Sequence, residues 1–299
     1  MTPDKLTILV TGANGQLGRS IQALATQYHT INFQFMGREH LPINDFALVD
    51  KVVETLKPQA IINAAAYTAV DRAETETEAS NLMNGYAVGN LAAAAKRVGA
   101  KFLHVSTDYV FDGNGTMPYK EEDPTNPVNA YGRSKLLGEQ LALQENADSM
   151  VVRTSWVYSR YGANFVKTMI RLMLTKPQIG VVSDQLGCPT HATDLAAALV
   201  NMAMATVSKT GGVYHYCNSG IISWFQFAEA ICKAGDFSCE VKPIKTSEYP
   251  TPAKRPGYSA LSCQKIVQQF SINPKNWHES LLYDFDAIRT SVEDSLKAK

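Results

Sequence analysis

Through the first half of the chain, short runs of β-branched and aliphatic residues alternate with longer stretches whose apolar residues recur every three or four positions. The runs at 7–11, 31–36, 60–63, 101–106 and 150–154 predict strands. The stretches near 16–27, 46–56, 79–98 and 133–146 predict the helices between them. Such alternation predicts an α/β fold, a Rossmann-type doubly wound parallel sheet with helices on both faces. After about Trp156 the pattern loosens. Helical periodicity persists near 164–174, 192–205 and 223–234, but Pro and Gly become frequent and the strands shorten. The change predicts a dinucleotide-binding domain over residues 1–155 and a smaller, mainly substrate-binding α/β domain over 156–299. In the segment 248–256, three prolines remove backbone donors and fix φ, so it is a surface loop placed to cover a site. Residues 292–299 read as a fraying helix end.

Composition narrows the function. Lys+Arg and Asp+Glu both total 28, and a net charge of zero argues against a nucleic-acid or anionic-membrane partner. No apolar stretch approaches the roughly 18 residues of a membrane span. The run Leu6-Thr-Ile-Leu-Val10 is too short for a signal peptide, so the chain reads as cytoplasmic. Five scattered cysteines without a C-x-x-C predict plain thiols, neither a metal site nor a disulfide framework.

The first strand runs into Thr11-Gly12-Ala-Asn-Gly15-Gln16-Leu17-Gly18, and a helix follows at once. Glycines there permit a tight turn and a close approach of backbone to pyrophosphate, while the helix N-terminus offers N–H groups and a dipole. Near the tip of the second strand stands Met36-Gly37-Arg38-Glu39. Arg38 suits the 2′-phosphate of NADPH; Glu39 leaves NADH open, since an acid there binds a free 2′-hydroxyl.

Tyr131 and Lys135 lie four residues apart at the start of a predicted helix, on one face. A cation beside a phenol favours the phenolate and brings Tyr131 within reach of proton exchange at neutral pH. Tyr131 can then act as general acid toward a carbonyl receiving hydride. Ser106, Thr107 and Asp108 end the fourth strand, where open α/β sheets bind ligands.

Together with Asn63-Ala-Ala-Ala66, these motifs resemble the extended short-chain dehydrogenase/reductase family. Longer stretches resemble its dTDP-4-dehydrorhamnose reductase branch: Asn63-Ala-Ala-Ala-Tyr-Thr-Ala-Val-Asp71, Ser106-Thr-Asp-Tyr-Val-Phe-Asp-Gly113, Arg153-Thr-Ser-Trp-Val-Tyr158 and Tyr249-Pro-Thr-Pro-Ala-Lys-Arg-Pro256. The resemblance covers residues from about Leu6 to beyond Pro256. It implies that Gly15, Gln16 and Leu17 line the pyrophosphate between Gly12 and Gly18, and that Asp45 and Phe46 border the adenine. Ala66, Tyr67 and Thr68 would line the nucleotide pocket. Tyr131 would protonate O4 of a dTDP-4-keto sugar, with Thr107 holding that oxygen and Lys135 serving both Tyr131 and the nicotinamide ribose. Trp156 would pack against the deoxysugar and Asp108 would contact a hydroxyl.

The resemblance also implies that strands of the smaller domain thread back toward the larger, and it leaves a homodimer open. Some members carry a magnesium-bridging glutamate soon after the glycine loop. Here Arg19-Ser20 occupies that region, so no metal is expected, and Asp194 and Glu229 read as solvated helix charges. Two other readings stay in view. A related epimerase or dehydratase would use the same Tyr and Lys, but dehydratases place Asp-Glu after the strand-end Thr, where this chain has Asp108-Tyr109. A non-catalytic subunit like the β subunit of methionine adenosyltransferase is expected to lose Thr68–Asp71 and Thr154–Val157, which are intact here.

Overall fold

In the structure, a computed structural model, residues 5–207 and 210–297 are described. A parallel six-stranded sheet forms its centre, in the order β2 (Ile31–Met36), β1 (Leu6–Thr11), β3 (Ala60–Asn63), β4 (Lys101–Thr107), β5 (Met150–Thr154) and β10 (Gly212–His215). The interior strands are apolar on both sides, and alternation sorts their side chains. Ile8, Val10, Ile62, Leu103 and Val152 join one core layer, while Leu9, Ile61, Phe102 and Val151 join the other. The first layer is closed by α1 (Gln16–Leu24) and α7 (Ala192–Met204). The second is closed by α2 (Phe46–Leu56), α4 (Ala87–Arg97) and α5 (Ala130–Glu145). This is the doubly wound architecture expected. Strand order reverses between β1 and β3, which opens the ligand crevice at their carboxyl ends.

The expected helix 79–98 is instead two helices, α3 (Thr77–Asn81) and α4, joined by a π-turn at Leu82–Tyr86. α5 begins at Ala130, three residues before the expected start. Asn129 caps it through Gly132 N–H at 2.8 Å, and Glu74 accepts the Ala130 N–H at 2.7 Å. Against the π-turn α5 lies so close that a Cβ on Gly138 would stand 1.9 Å from the Asn84 carbonyl oxygen.

The smaller layer has its own core. α6 (Phe165–Thr175), α8 (Trp224–Ala234) and α10 (Trp277–Lys297) pack with the parallel pair β7 (Gln178–Val182) and β12 (Glu240–Ile244). Two-residue strands complete it: β6 (Val157–Tyr158) with β9 (Thr190–His191), and β8 (Leu186–Gly187) with β11 (Ile222–Ser223). A short α9 (Gln264–Phe270) lies beside β10. The expected helix end at 292–299 belongs to α10, with its last two residues outside the described ones. Chain order and layer do not coincide: α7 and β10 follow five elements of the smaller layer yet complete the large sheet and its cover.

Candidate active site

At the crevice, Gly12 adopts φ +64° and presses against Ala64 and Ala65, which no residue with a Cβ could do. Gly15 precedes α1 without a side-chain cap. The N–H groups of the first turn of α1 are therefore available to an anion. A cavity of about 350 Å³ lies over this turn, lined by Gly12, Asn14, Gly15, Arg38 and Ala64–Ala66 among others. Its bare helix N-terminus and glycine floor fit a dinucleotide.

The other cofactor residues are placed less uniformly. Gln16 sends its side-chain oxygen to Ser159 Oγ (3.1 Å) and Asn164 Nδ2 (2.9 Å), tying the loop to the smaller layer. Leu17 turns its side chain into the core. Arg38 stands exposed at the cavity rim, and Asn14 Nδ2 donates to both oxygens of Glu39 (3.0 and 3.2 Å). Asp45 caps α2 through Leu48 N–H at 3.0 Å, and neither it nor the exposed Phe46 lines this cavity. The main chain of Tyr67 is clasped on both sides by Asn84 of the π-turn, its phenol donates to Glu76, and Thr68 is exposed.

The carboxyl end of β4 supplies the polar floor. Thr107 Oγ1 donates to Asp108 Oδ1 at 3.1 Å, whereas Ser106 Oγ and Asp108 Oδ2 are buried without a protein partner among the described residues. Tyr131 enters from the first turn of α5, its ring edge-on to Tyr109 at 5.8 Å. Burial pushes its phenol up to about 12, while the adjacent Thr107 hydroxyl pulls the other way. Lys135 is fully buried and does not counter that rise. Its Nζ donates to the Val105 carbonyl at 2.7 Å and lies 3.2 Å from His104 Nε2. Burial lowers it to about 8, against an upward pull from Glu139. Burial thus favours the neutral phenol of Tyr131.

Asp108 is raised to about 7 by burial, with the Ser259 and Thr107 hydroxyls opposing. Because the folded form binds this proton more tightly than the unfolded chain does, stability is full below the ordinary carboxylate value. It is lost as pH rises through about 7. At about 1.4 kcal/mol per tenfold, the rise from 3.8 to about 7 is worth about 4 kcal/mol. Asp108→Asn is expected to raise the thermal midpoint at pH 8–9 and to leave it nearly unchanged near pH 4. An equal change at both pH values would contradict this account.

On the far side of Tyr109, a cavity of about 390 Å³ is lined by Phe165, Met169, Val182, Trp224, Tyr249 and Arg255, among others. Trp156 stacks on Trp224 with centroids 3.4 Å apart, and holds a left-handed backbone at φ +49°. The 248–256 loop closes over this region. Arg255 grips both oxygens of Asp71, and the Lys254 carbonyl accepts from Asn129 Nδ2 at 2.8 Å. Sequence reasoning missed Arg255 and Trp224 as lining residues. It also misread Asp194, which is buried, accepting from Asn218, Ser280 and Lys275, while Glu229 is exposed as expected. Three of the scattered cysteines, Cys188, Cys217 and Cys263, meet at a separate cavity of about 620 Å³.

Comparison with known proteins adds a family. The model of the RmlD substrate binding domain matches residues 6–289. A spore coat polysaccharide biosynthesis protein, SpsK, of Bacillus subtilis is 41% identical over 92% of this chain and 95% of its own. A dTDP-4-dehydrorhamnose reductase of Burkholderia thailandensis is 42% identical over 91% and 95%. The crystal structure of the Bacillus anthracis dTDP-4-dehydrorhamnose reductase in complex with NADP superposes with a TM-score of 0.89. It is 37% identical, covering 94% of this chain and 99% of that one.

Proposed function

The chain belongs to the RmlD family of dTDP-4-dehydrorhamnose reductases, and on that premise we propose that it reduces the C4 ketone of dTDP-4-dehydro-L-rhamnose to dTDP-L-rhamnose, with NADPH as hydride donor and Tyr131 as proton donor. The observation that carries the reading is the convergence at the end of β4. A buried neutral phenol stands beside Thr107, next to two buried oxygens that lack protein partners.

The bound nicotinamide supplies the hydride. The rest falls to the chain's own side chains. As hydride reaches the carbonyl carbon, charge builds on its oxygen, and the Tyr131 phenol and the Thr107 hydroxyl, turned away from Asp108 Oδ1, are the donors for it. Tyr131 gives up its proton as that charge develops, and a phenol held neutral at working pH is always loaded. Asp108 Oδ2 and Ser106 Oγ take sugar hydroxyls, which would satisfy both oxygens. The aromatic cavity takes the nucleotide: Trp224, Phe165 and Tyr249 offer stacking faces, and Arg255 a charge for a phosphate. Trp156 presents an apolar face to the deoxygenated end of the sugar.

Purified protein, NADPH and enzymatically generated dTDP-4-keto-6-deoxy-L-lyxo-hexulose should consume NADPH absorbance and yield dTDP-L-rhamnose. No turnover with this sugar, alongside turnover of another 4-keto sugar, would refute the substrate and leave the family intact. For the cofactor, Arg38 at the cavity rim favours a 2′-phosphate, while Asn14 holds the Glu39 carboxylate. Arg38→Ala is expected to raise the KM for NADPH about tenfold, the loss of one charge-assisted contact, with little effect on that for NADH. Equal effects on both would remove Arg38 from phosphate recognition.

A further inference from the structure

Three cysteines arrive at one place from separate stretches of chain: Cys188 between β8 and β9, Cys217 just past β10, and Cys263 just before α9. The Sγ atoms of Cys217 and Cys263 lie 3.6 Å apart, in contact. The main chain of Cys217 holds Cys263 in that position. Its N–H donates to Cys263 Sγ at 3.3 Å, and its carbonyl accepts from that thiol at 3.7 Å. Cys217 also hydrogen-bonds to Cys188, which holds the Cys188 thiol below the ordinary value and pushes that of Cys217 above it. The other two cysteines are engaged with backbone instead. Cys232 donates to the Phe237 and Cys239 carbonyls, and Cys239 to that of Glu240.

Buried thiols without access are inert. These three have access, because all of them line the cavity of about 620 Å³, with Leu261, Gln264 and Val267 among its other walls. Cys263 is half-buried, whereas Cys188 and Cys217 are only 3% and 2% exposed. An oxidant that enters therefore meets Cys263 first, with a second thiol in contact behind it. We propose that Cys217 and Cys263 form a reversible oxidation site, closing to a disulfide when a hydroperoxide enters this cavity, and that the bond loosens the seat of the sugar. The hydroperoxide transfers its outer oxygen to Cys263 Sγ, giving a sulfenic acid and an alcohol, or water where the oxidant is hydrogen peroxide. Cys217 Sγ then attacks that sulfur: the S–S bond forms, the S–O bond breaks, and the Cys217 proton leaves with the hydroxyl as water. The two electrons and two protons lost by the thiols reduce the peroxide O–O bond.

The cluster lies behind the floor of the sugar site. Asp108 is near enough to Cys188 that its charge works against the lowered thiol. Ser155 Oγ donates to the Cys188 carbonyl at 2.6 Å, and a Cβ on Gly187 would stand 2.6 Å from the Trp156 indole. A disulfide is about 2.05 Å long, so the two sulfurs must close by about 1.5 Å. Cys217 thereby loses both its proton and its hydrogen bond to Cys188. Cys188 passes the change through Gly187 and Ser155 to Trp156, and directly to Asp108. The glycine loop of the cofactor takes part in none of these contacts. The sugar, rather than the cofactor, should register the oxidation.

The disulfide is a property of the free protein; its effect on the sugar rests on the reductase reading. Folded protein treated with hydrogen peroxide, then denatured and titrated, should have lost two of its five thiols. Peptide mass mapping should join Cys217 to Cys263, and dithiothreitol should undo the link. In the oxidised protein the KM for the 4-keto sugar should rise about threefold or more, the loss of part of one hydrogen-bonded contact, with that for NADPH unmoved. Cys217→Ser and Cys263→Ser should keep basal turnover and escape the rise. Should Cys217→Ser fail to fold, the half-buried Cys263→Ser still decides. An unchanged thiol count, or Cys263 carried to a sulfinic acid without a link to Cys217, overturns the site. A mapped Cys217–Cys263 disulfide with both KM values unmoved overturns its coupling to the sugar. Absence of turnover with this sugar, alongside the expected disulfide, would sink the substrate assignment and leave the oxidation site standing.

Discussion

Tyr131→Phe is expected to lower kcat by about 10² to 10⁴, the usual range for loss of a general acid, with little change in the KM for NADPH. The substitution removes only the hydroxyl. The ring keeps its edge-on packing against Tyr109 at 5.8 Å, and α5 keeps its Asn129 cap. The thermal midpoint should therefore stay close to that of the unaltered protein, and the activity loss cannot be ascribed to unfolding. Since burial holds the phenol at about 12, the unaltered enzyme should show no alkaline limb from Tyr131 below that pH. Steady-state kinetics with NADPH and the 4-keto sugar give the answer. A variant within threefold of full activity would mean that another group, Asp108 being the nearest acid, supplies the proton.

The second large effect is on stability. Glu139 and Arg153 form a bidentate pair at 2.7–3.1 Å, with side chains only 3% and 4% exposed. Arg153 also lies over the Phe111 ring, 5.1 Å from its centroid. Glu139→Ala would leave a buried guanidinium without its counter-charge, at an expected loss of about 3–5 kcal/mol. Replacing both partners, Glu139→Leu with Arg153→Met, should recover most of it, because the uncompensated charge goes with the pair. Denaturant midpoints of the single and double variants test this. A single variant that loses less than about 1 kcal/mol would show that water reaches Arg153. The pair joins α5 to β5 one turn beyond Lys135, so the same variant should also weaken the ammonium form of Lys135 that Glu139 favours.

The sequence made the sheet legible because each interior strand is apolar on both faces and each crossover helix is amphipathic. Local chemistry was legible too: Gly12 needs its positive φ, and Thr107 and Asp108 end a strand. What stayed hidden depends on partners far away in the chain. Arg255 grips Asp71 across 184 positions, and nothing local marks either as half of a clamp. Asp194 sits in the first turn of α7, where a solvated acid is the ordinary reading. Asn218, Ser280 and Lys275 arrive from later segments to satisfy it in the interior. The π-turn at Leu82–Tyr86 leaves helical periodicity almost intact, so two helices read as one. Lys135 was placed on the right face, but its contact with His104, 31 residues earlier, carries no local mark in the sequence.

The return of α7 and β10 to the large sheet has a consequence for how the chain is made. β5 is buried along its whole length, and one of its edges is covered only by β10. Synthesis is vectorial, so the ribosome must release more than two thirds of the chain before that edge can be capped. Until then, an apolar strand with unpaired N–H and C=O groups is open to any neighbouring nascent chain. The cofactor half is complete in sequence long before it is complete in space. A gene fragment ending near Thr154 would hold five of the six strands and yield an adhesive open edge, and the smaller layer has to be drawn up around the returning segment while the larger one is still closing.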